Sequence, residues 1–268
     1  MPLAELDDVT IHYREQGEGP PVLGIMGWGL DGRYWASMVP AVTKTHRFIT
    51  FDNRGTGRST EGAAGSIDEM ALDALKLLDH LGIDSCVIFG VSMGGAIAQR
   101  LALDAPERVS ALILAATWAR ATEFQRRQHR IARLIGEHGG PAAIIDGALI
   151  RMFTPSFFEM GQDALDLLVR SFTNTPNGPG MATGEAMIGQ LTAIEKHDVL
   201  DELGNVTCPT LVLGAKMDMM VPYICSVAIA DAIPGAELAT FETGHGFFVE
   251  EMEAVNDRVY RFLSAQLR

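Results

Sequence analysis

Short apolar runs alternate with amphipathic stretches along most of this chain, and this alternation predicts its secondary structure. Cys86 to Val91 is apolar and partly β-branched, which is typical of a strand buried on both faces of a parallel sheet. Ile67 to Leu81 has a broad apolar face at helical spacing and stops at Gly82, so it predicts a helix. Further strands are predicted at Val22 to Met26, Phe48 to Phe51, Ala111 to Ala116, Thr210 to Leu213 and Ala236 to Phe241, and a closing helix from Phe247 to Leu267.

The order of these elements predicts the fold class. Strands that alternate with helices indicate an α/β fold with a mostly parallel sheet and helices on both faces. Residues 118–207 differ from the rest of the chain in sequence pattern. They contain no convincing strand, and they hold a basic stretch and several phenylalanines. We therefore predict a core made of residues 1–117 and 208–268. Residues 118–207 are predicted to form a helical cap (lid) inserted over the carboxyl edge of the sheet, where such folds bind ligands.

The strongest chemical signal is the pentapeptide Gly90-Val91-Ser92-Met93-Gly94, which lies between a predicted strand and a predicted helix. A serine on a sharp strand-to-helix turn crowds the neighbouring backbone, and glycines two residues before and after it remove the side chains that would clash. A Gly-rich turn can also occur without a catalytic role. Its place in the strand–helix context favours Ser92 as a nucleophile.

A serine hydroxyl needs a base, and His245 is the best candidate among the seven histidines. It lies between the last predicted strand and the closing helix, flanked by Gly244 and Gly246. The acid should follow a strand between the serine and the histidine in chain order, and Asp218 does so. The alternatives are a capping role for the histidine and a turn or helix-cap role for the aspartate. Asp231 lies late in the next helix and is a poorer candidate for the acid.

Composition narrows the partners and the cell compartment. The 268 residues suit one α/β domain with an insertion, and 47% of them are apolar. A net charge of −13 disfavours nucleic acid and anionic membranes, so the expected partner is a small molecule. Three widely spaced cysteines without a CxxC pair predict neither a disulfide scaffold nor a zinc site. The N-terminus has no secretory signal pattern, so we expect a cytoplasmic protein.

With these residues identified, the chain resembles the α/β-hydrolase superfamily over nearly its whole length. The motifs are Gly27 after a strand, the stretch from Asp52 to Ser59 (DNRGTGRS), the serine turn, Asp218 before Val221-Pro222, and Gly244-His245-Gly246. The resemblance implies an eight-stranded sheet and is most specific for the small serine esterase, lactonase and peptidase branch. In that branch the Asp52 to Ser59 stretch is mainly a structural turn, so Asp52 and Arg54 are not expected to be catalytic.

The same resemblance implies an oxyanion hole made of the backbone N–H groups of Trp28 and Met93. The family usually has His-Gly after this strand, whereas this chain has Met26-Gly27. The donor is a backbone group, so the change is compatible with catalysis, and similar Met-Gly relatives are methylesterases of polyketide metabolism. No cofactor and no metal is implied.

The substrate is the least determined part of this prediction. Candidates for an apolar acyl pocket are Trp118, Met152, Phe153, Phe157 and Met219, although most residues of this kind are expected to belong to the cap core. We predict a serine hydrolase that cleaves a small hydrophobic carboxylic ester or lactone through an acyl-enzyme. Alternatives are C–C bond hydrolysis, peptide cleavage or perhydrolysis on the same triad, or a ligand sensor with slow turnover. The oligomeric state, monomer or homodimer, is left open.

Overall fold

One mixed sheet organises the molecule. The structure is a computed structural model that describes residues 2–60, 65–161, 163, 165–166, 170 and 184–267. Its strands are β1 (Leu3–Glu5), β2 (Thr10–Gln16), β3 (Pro21–Ile25), β4 (Arg47–Phe51), β5 (Cys86–Val91), β6 (Val109–Ala115), β7 (Thr210–Ala215) and β8 (Glu237–Phe241). They form an eight-stranded sheet in the order β1-β2-β4-β3-β5-β6-β7-β8. β1 and β2 pair antiparallel, β2 and β4 pair antiparallel, and the other neighbours are parallel, which confirms the predicted fold class.

Helices connect the strands and follow the last one. They are α1 (Val39–Val42), α2 (Ile67–His80), α3 (Met93–Asp104), α4 (Glu123–His138), α5 (Gly140–Met152), α6 (Gly184–Lys196), α7 (Tyr223–Ala232), α8 (Phe247–Glu250) and α9 (Met252–Ala265). The single closing helix predicted from Phe247 to Leu267 is wrong. Glu251 has φ −126° and ψ 43°, which is not helical, so the segment is divided into α8 and α9.

Each face of the sheet packs against its own hydrophobic core. Successive side chains of a strand point to opposite faces, so Ile88 joins the core under α2, α3 and α7, whereas Val87 and Phe89 join the core under α9. All six residues of β5 are buried, as expected for a central parallel strand covered on both sides. The sheet is therefore a rigid platform for the loops at its carboxyl edge.

The segment between β6 and β7 contributes α4, α5 and α6, which we call the insertion helices. The backbones of Arg120 and Asp198 form an isolated antiparallel bridge where the segment leaves and rejoins the core, and their side chains form an ion pair. Ala193 and Ile194 of α6 belong to the same hydrophobic core as α2 and α3. The insertion thus shares packing with the sheet, and the division at residues 118 and 207 stays a prediction. No helix among the described residues is long and apolar enough to cross a membrane.

Candidate active site

Ser92 lies on a strained turn between β5 and α3. Its backbone has φ 54° and ψ −118°, a region that residues with a side chain rarely occupy. The turn is possible because of its glycines: a Cβ on Gly90 would lie 2.3 Å from the carbonyl oxygen of Gly94, and one on Gly94 would lie 2.0 Å from that of Ile25. The Ser92 N–H donates to Ala115 O at 2.9 Å. The turn is thereby fixed to the neighbouring strand.

Asp218 and His245 meet at the carboxyl ends of β7 and β8. His245 Nδ1 lies 2.6 Å from Asp218 Oδ2, and both residues are buried. The other carboxylate oxygen, Oδ1, accepts the backbone N–H groups of Met220 and Val221, each at 2.8 Å. Because both oxygens are engaged, the carboxylate has a fixed orientation and holds the imidazole by Nδ1. This arrangement leaves Nε2 available for proton exchange.

Ser92 and His245 line one cavity with a volume of about 200 Å³. Its other walls are mostly apolar side chains, from the segment after β3, from α5 and from α8. Among the described residues, none that lines the cavity is a lysine, an arginine, an aspartate or a glutamate. The cavity therefore suits an uncharged, hydrophobic ligand next to the serine and the histidine.

Two of the five predicted pocket residues, Met152 and Phe153, line this cavity, and three do not. Phe157 stacks on Phe153 with ring centroids 4.1 Å apart, so it supports the wall without forming it. Trp118 is buried in the core that α2 and α3 share. Met219 is 52% exposed, and its neighbour Met220 lines the cavity.

Sequence reasoning also missed residues of the cavity wall. Tyr34, Trp35 and Met38 follow β3, and Phe248 and Val249 lie on α8, just after the histidine loop. The available signal was their position, because both segments leave the carboxyl edge of the sheet next to predicted site residues. Their aromatic and apolar character alone did not separate them from core residues.

The loop after β3 lies against Ser92. A Cβ on Gly27 would lie 3.1 Å from Ser92 Cβ and 3.7 Å from Ser92 Oγ, so the loop approaches closely only because this residue is glycine. The backbone N–H groups of Trp28 and Met93 make no hydrogen bond to any residue in the described part of the chain. Two free donors thus lie on the residues next to Gly27 and Ser92, as an oxyanion hole requires.

Residues of the stretch from Asp52 to Ser59 form hydrogen bonds with the loop after β3. Asn53 Nδ2 donates to Met26 O at 3.0 Å, and Asp52 Oδ1 accepts the Gly32 N–H at 2.8 Å. Arg54 forms a 2.6 Å ion pair with Asp73, and this contact raises the pKa of the guanidinium. These contacts fit a structural role for Asp52 and Arg54.

The loop of Gly244, His245 and Gly246, which we call the histidine loop, is bound to the end of α5. Gly246 N–H donates to Met152 O at 2.7 Å. The carboxylate of Glu250 accepts the Gly244 N–H at 2.9 Å through Oε2, and the Thr154 N–H at 3.0 Å through Oε1. The Thr154 hydroxyl also donates to Oε1. Sequence reasoning did not single out Glu250, because a glutamate at the end of a short helix carries no local signal of this long-range contact.

The chemistry of the site rests on these side chains and backbone groups. In the described residues, no cluster of three or more His, Cys, Asp or Glu side chains is placed to hold a metal ion. The arrangement can support nucleophilic attack by a serine, proton transfer by a histidine held by a carboxylate, and stabilisation of a developing oxyanion.

Known proteins share this sequence and this fold. Residues 20–252 match the family model for the alpha/beta hydrolase fold. A protein of Azorhizobium caulinodans named as the carbamate hydrolase RutD is 31% identical over 264 residues, which cover 98% of each chain. The crystal structure of the enol-lactonase from Burkholderia xenovorans LB400 is similar with a TM-score of 0.85 and 26% identity, over 98% of this chain and 100% of that one. A hydrolase from Pseudomonas aeruginosa PA01 is similar with a TM-score of 0.88 and 26% identity, over 98% of this chain and 97% of that one.

Proposed function

The chain belongs to the α/β-hydrolase family, and from this premise we propose that it is a serine hydrolase that cleaves small hydrophobic carboxylic esters or lactones. One observation carries the proposal: His245, paired with Asp218 at 2.6 Å, lines a mostly apolar cavity together with Ser92 on its strained turn. Ser92 is the nucleophile, His245 is the general base and acid, and Asp218 orients the imidazole.

The reaction proceeds through an acyl-enzyme. Ser92 Oγ attacks the carbonyl carbon while His245 Nε2 takes the hydroxyl proton, and Asp218 stabilises the imidazolium that forms. The N–H groups of Trp28 and Met93 donate to the oxyanion. When the C–O bond to the alcohol breaks, His245 returns the proton to the leaving oxygen. Water then attacks the acyl carbon with the same base, which releases the acid and restores Ser92.

The cavity supports an uncharged acyl group. Apart from the ionisable His245, the lining residues that the structure describes carry no charge, so a substrate carboxylate or ammonium would lose hydration without a compensating partner among them. A hydrophobic acyl chain loses nothing in this way and gains from burial against Met152 and Phe153. The enol-lactonase similarity adds cyclic esters to the candidate substrates.

Carbamates are the second candidate, and the relatives named as carbamate hydrolases favour them. Attack of a serine on a carbamate carbonyl needs the same nucleophile, base and oxyanion donors. A neutral carbamate ester suits the mostly apolar cavity, whereas a small carbamate anion would meet no lysine or arginine among the described lining residues. The proposal therefore ranks neutral esters and lactones first and neutral carbamates second.

The first test is hydrolysis of p-nitrophenyl acetate, butyrate and octanoate at pH 8 by the wild type and by Ser92→Ala. We expect turnover with a chain-length preference in the wild type, and a loss on the order of 10³-fold or more in the variant, because the nucleophile is gone. Ser110→Ala is the matched control, since Ser110 is exposed on β6 and should keep full activity. An inert wild type, or a Ser92→Ala variant with most of the activity, would bring the C–C hydrolase and sensor alternatives forward.

A second test ranks the substrate classes. We expect kcat/KM for p-nitrophenyl butyrate and for a neutral lactone to exceed that for p-nitrophenyl N-methylcarbamate by about tenfold or more, because the described cavity lining is mostly apolar and favours an alkyl acyl group over the polar carbamate N–H. A higher kcat/KM for the carbamate would reverse the ranking of the two candidates while leaving Ser92 as the nucleophile.

A further inference from the structure

The loop after β3 is held by a helix that is distant from it in the sequence. The Trp28 indole packs against Ala186 and Met187 of α6, and its Nε1 donates to Met187 O at 2.9 Å. The side chain of the residue whose backbone N–H is the first oxyanion donor is therefore bound to an insertion helix. The donor itself is left free of hydrogen bonds to described residues.

Gln190 of α6 joins the loop after β3 to the Asp52 to Ser59 stretch, with one end of its amide bound to each. Its Oε1 accepts the Gly29 N–H at 2.9 Å, and its Nε2 donates to Arg54 O at 3.1 Å. The residue is fully buried, so water cannot replace either bond. A buried amide with a donor on one side and an acceptor on the other has only one satisfied orientation. The side chain of Gln190 is thereby fixed.

These contacts enclose the peptide that carries the donor. The Gly29 N–H lies one peptide after the Trp28 N–H, and it donates to Gln190 Oε1. On the other side of the donor, Met26 O is held by Asn53 Nδ2 at 3.0 Å. Gly29 has a positive φ of 71°, so the chain reverses there and the bond from Gln190 sets where the turn lies. The Trp28 N–H is located by one anchor on each side.

We propose that Gln190 is a positioning residue that holds the Trp28 N–H in place for the oxyanion. This inference rests on the proposed function, because it assigns Gln190 to the same site. Gln190 does not line the cavity and does not contact substrate; it acts through Gly29. Oxyanion donors stabilise charge that develops only in the transition state, so their displacement lowers kcat more than it changes substrate binding.

The test compares Gln190→Met with Gln190→Glu on p-nitrophenyl butyrate. Methionine keeps the size of the side chain but loses both hydrogen bonds, so we expect kcat to fall about 10–100-fold with KM within about twofold of wild type. Glutamate keeps an acceptor for the Gly29 N–H, so its kcat should exceed that of Gln190→Met. Thermal melting shows whether each variant is folded.

A tetrahedral inhibitor separates positioning from general loosening of the structure. Phenylboronic acid forms a tetrahedral adduct on an active-site serine, whereas butyramide resembles the ground state. For Gln190→Met we expect the inhibition constant of the boronic acid to rise by about the same factor as kcat falls, with that of butyramide changed by less than about twofold. Equal weakening of both inhibitors, or an unchanged kcat, would overturn the assignment of Gln190.

The matched control is Thr192→Val on the same helix. Thr192 Oγ1 accepts a 3.1 Å hydrogen bond from Arg133 Nη2, so the variant loses a contact between two insertion helices and none with the loop. Its kcat should stay within about twofold of wild type, and an equal loss in Thr192→Val would contradict the proposal. A wild type that neither hydrolyses esters nor binds the boronic acid would instead contradict the proposed function.

Discussion

The turn of Ser92 and the loops around it are held in different ways. Ser92 is fixed by its own neighbourhood, since its N–H donates to Ala115 O and its carbonyl accepts the Thr117 hydroxyl at 2.7 Å, both at the end of the adjacent strand. The loop after β3 and the loop that carries His245 have contacts to the core as well, but each also forms hydrogen bonds with an insertion helix, through Gln190 and Met152 O respectively. The position of the proposed nucleophile is thus set by the sheet, whereas the loops that carry its proposed partners also depend on a segment inserted between two strands.

The loop after β7 that carries Asp218 is held both by its own backbone and by an insertion helix. Asp218 accepts hydrogen bonds from its own loop, but the next carbonyl, Met219 O, accepts one from Gln128 Nε2 of α4 at 2.6 Å. Arg151 donates to the other end of the same amide at 3.1 Å, and burial lowers the pKa of this arginine. Each of the three loops therefore forms at least one hydrogen bond with a different insertion helix or its end. The insertion therefore supports the loops of the proposed catalytic site and also forms a wall of the cavity.

The largest loss of activity is expected from a change at Asp218, whose carboxylate is held by its own loop at the end of β7. Asp218→Asn removes the charge that stabilises the imidazolium and favours the wrong tautomer, so kcat on p-nitrophenyl butyrate should fall on the order of 10³–10⁴-fold. Asp231→Asn is the control, because Asp231 is exposed on α7. A loss below about tenfold in Asp218→Asn would remove Asp218 from the proposed mechanism.

A smaller loss is expected from the contact between α8 and the insertion. Three donors converge on the Glu250 carboxylate, the Gly244 N–H, the Thr154 N–H and the Thr154 hydroxyl. Glu250→Gln turns one acceptor into a donor and leaves an N–H without a partner, so kcat should fall about tenfold through displacement of His245. Glu253→Gln, at an exposed position of α9, should keep its activity. Equal rates for Glu250→Gln and the wild type would show that the hydrogen bonds to the Glu250 carboxylate do not position His245.

The smallest effect on activity is expected from a change at His197, which directly follows α6. Its effect should instead appear in the pH dependence of stability. Burial lowers the pKa of His197 from 6.5 to about 4, so below pH 6.5 the unfolded chain binds a proton that the folded protein does not. Stability from this source is complete above pH 6.5 and is lost as the pH falls towards 4.

Urea unfolding of His197→Gln between pH 4.5 and 7.5 checks this expectation. The free energy of unfolding should depend less on pH than in the wild type, with kcat unchanged. Some dependence should remain, because burial also lowers the pKa of His129 to about 4. If the two proteins show the same dependence on pH, the buried neutral state of His197 is not what links stability to pH.

The sequence predicted the local parts of this molecule and missed the long-range ones. The strands and the turn of Ser92 were predictable because apolar runs and glycine spacing depend on neighbours in the chain. The roles proposed for Gln190 and Glu250 were not, because each contact joins segments that only the fold brings together. Trp118 shows the reverse error, since its apolar character is the same whether it faces a ligand or a core.

The contacts of the insertion helices have a consequence for transplantation between relatives. A chimera that receives a foreign segment between β6 and β7 would acquire new walls for the cavity and would lose Gln190, Gln128 and the end of α5 together. Specificity in this protein is therefore not a module that can be exchanged while the catalytic apparatus stays constant. Any successful graft would have to carry matching anchors for all three loops, or the recipient's loops would have to be redesigned with it.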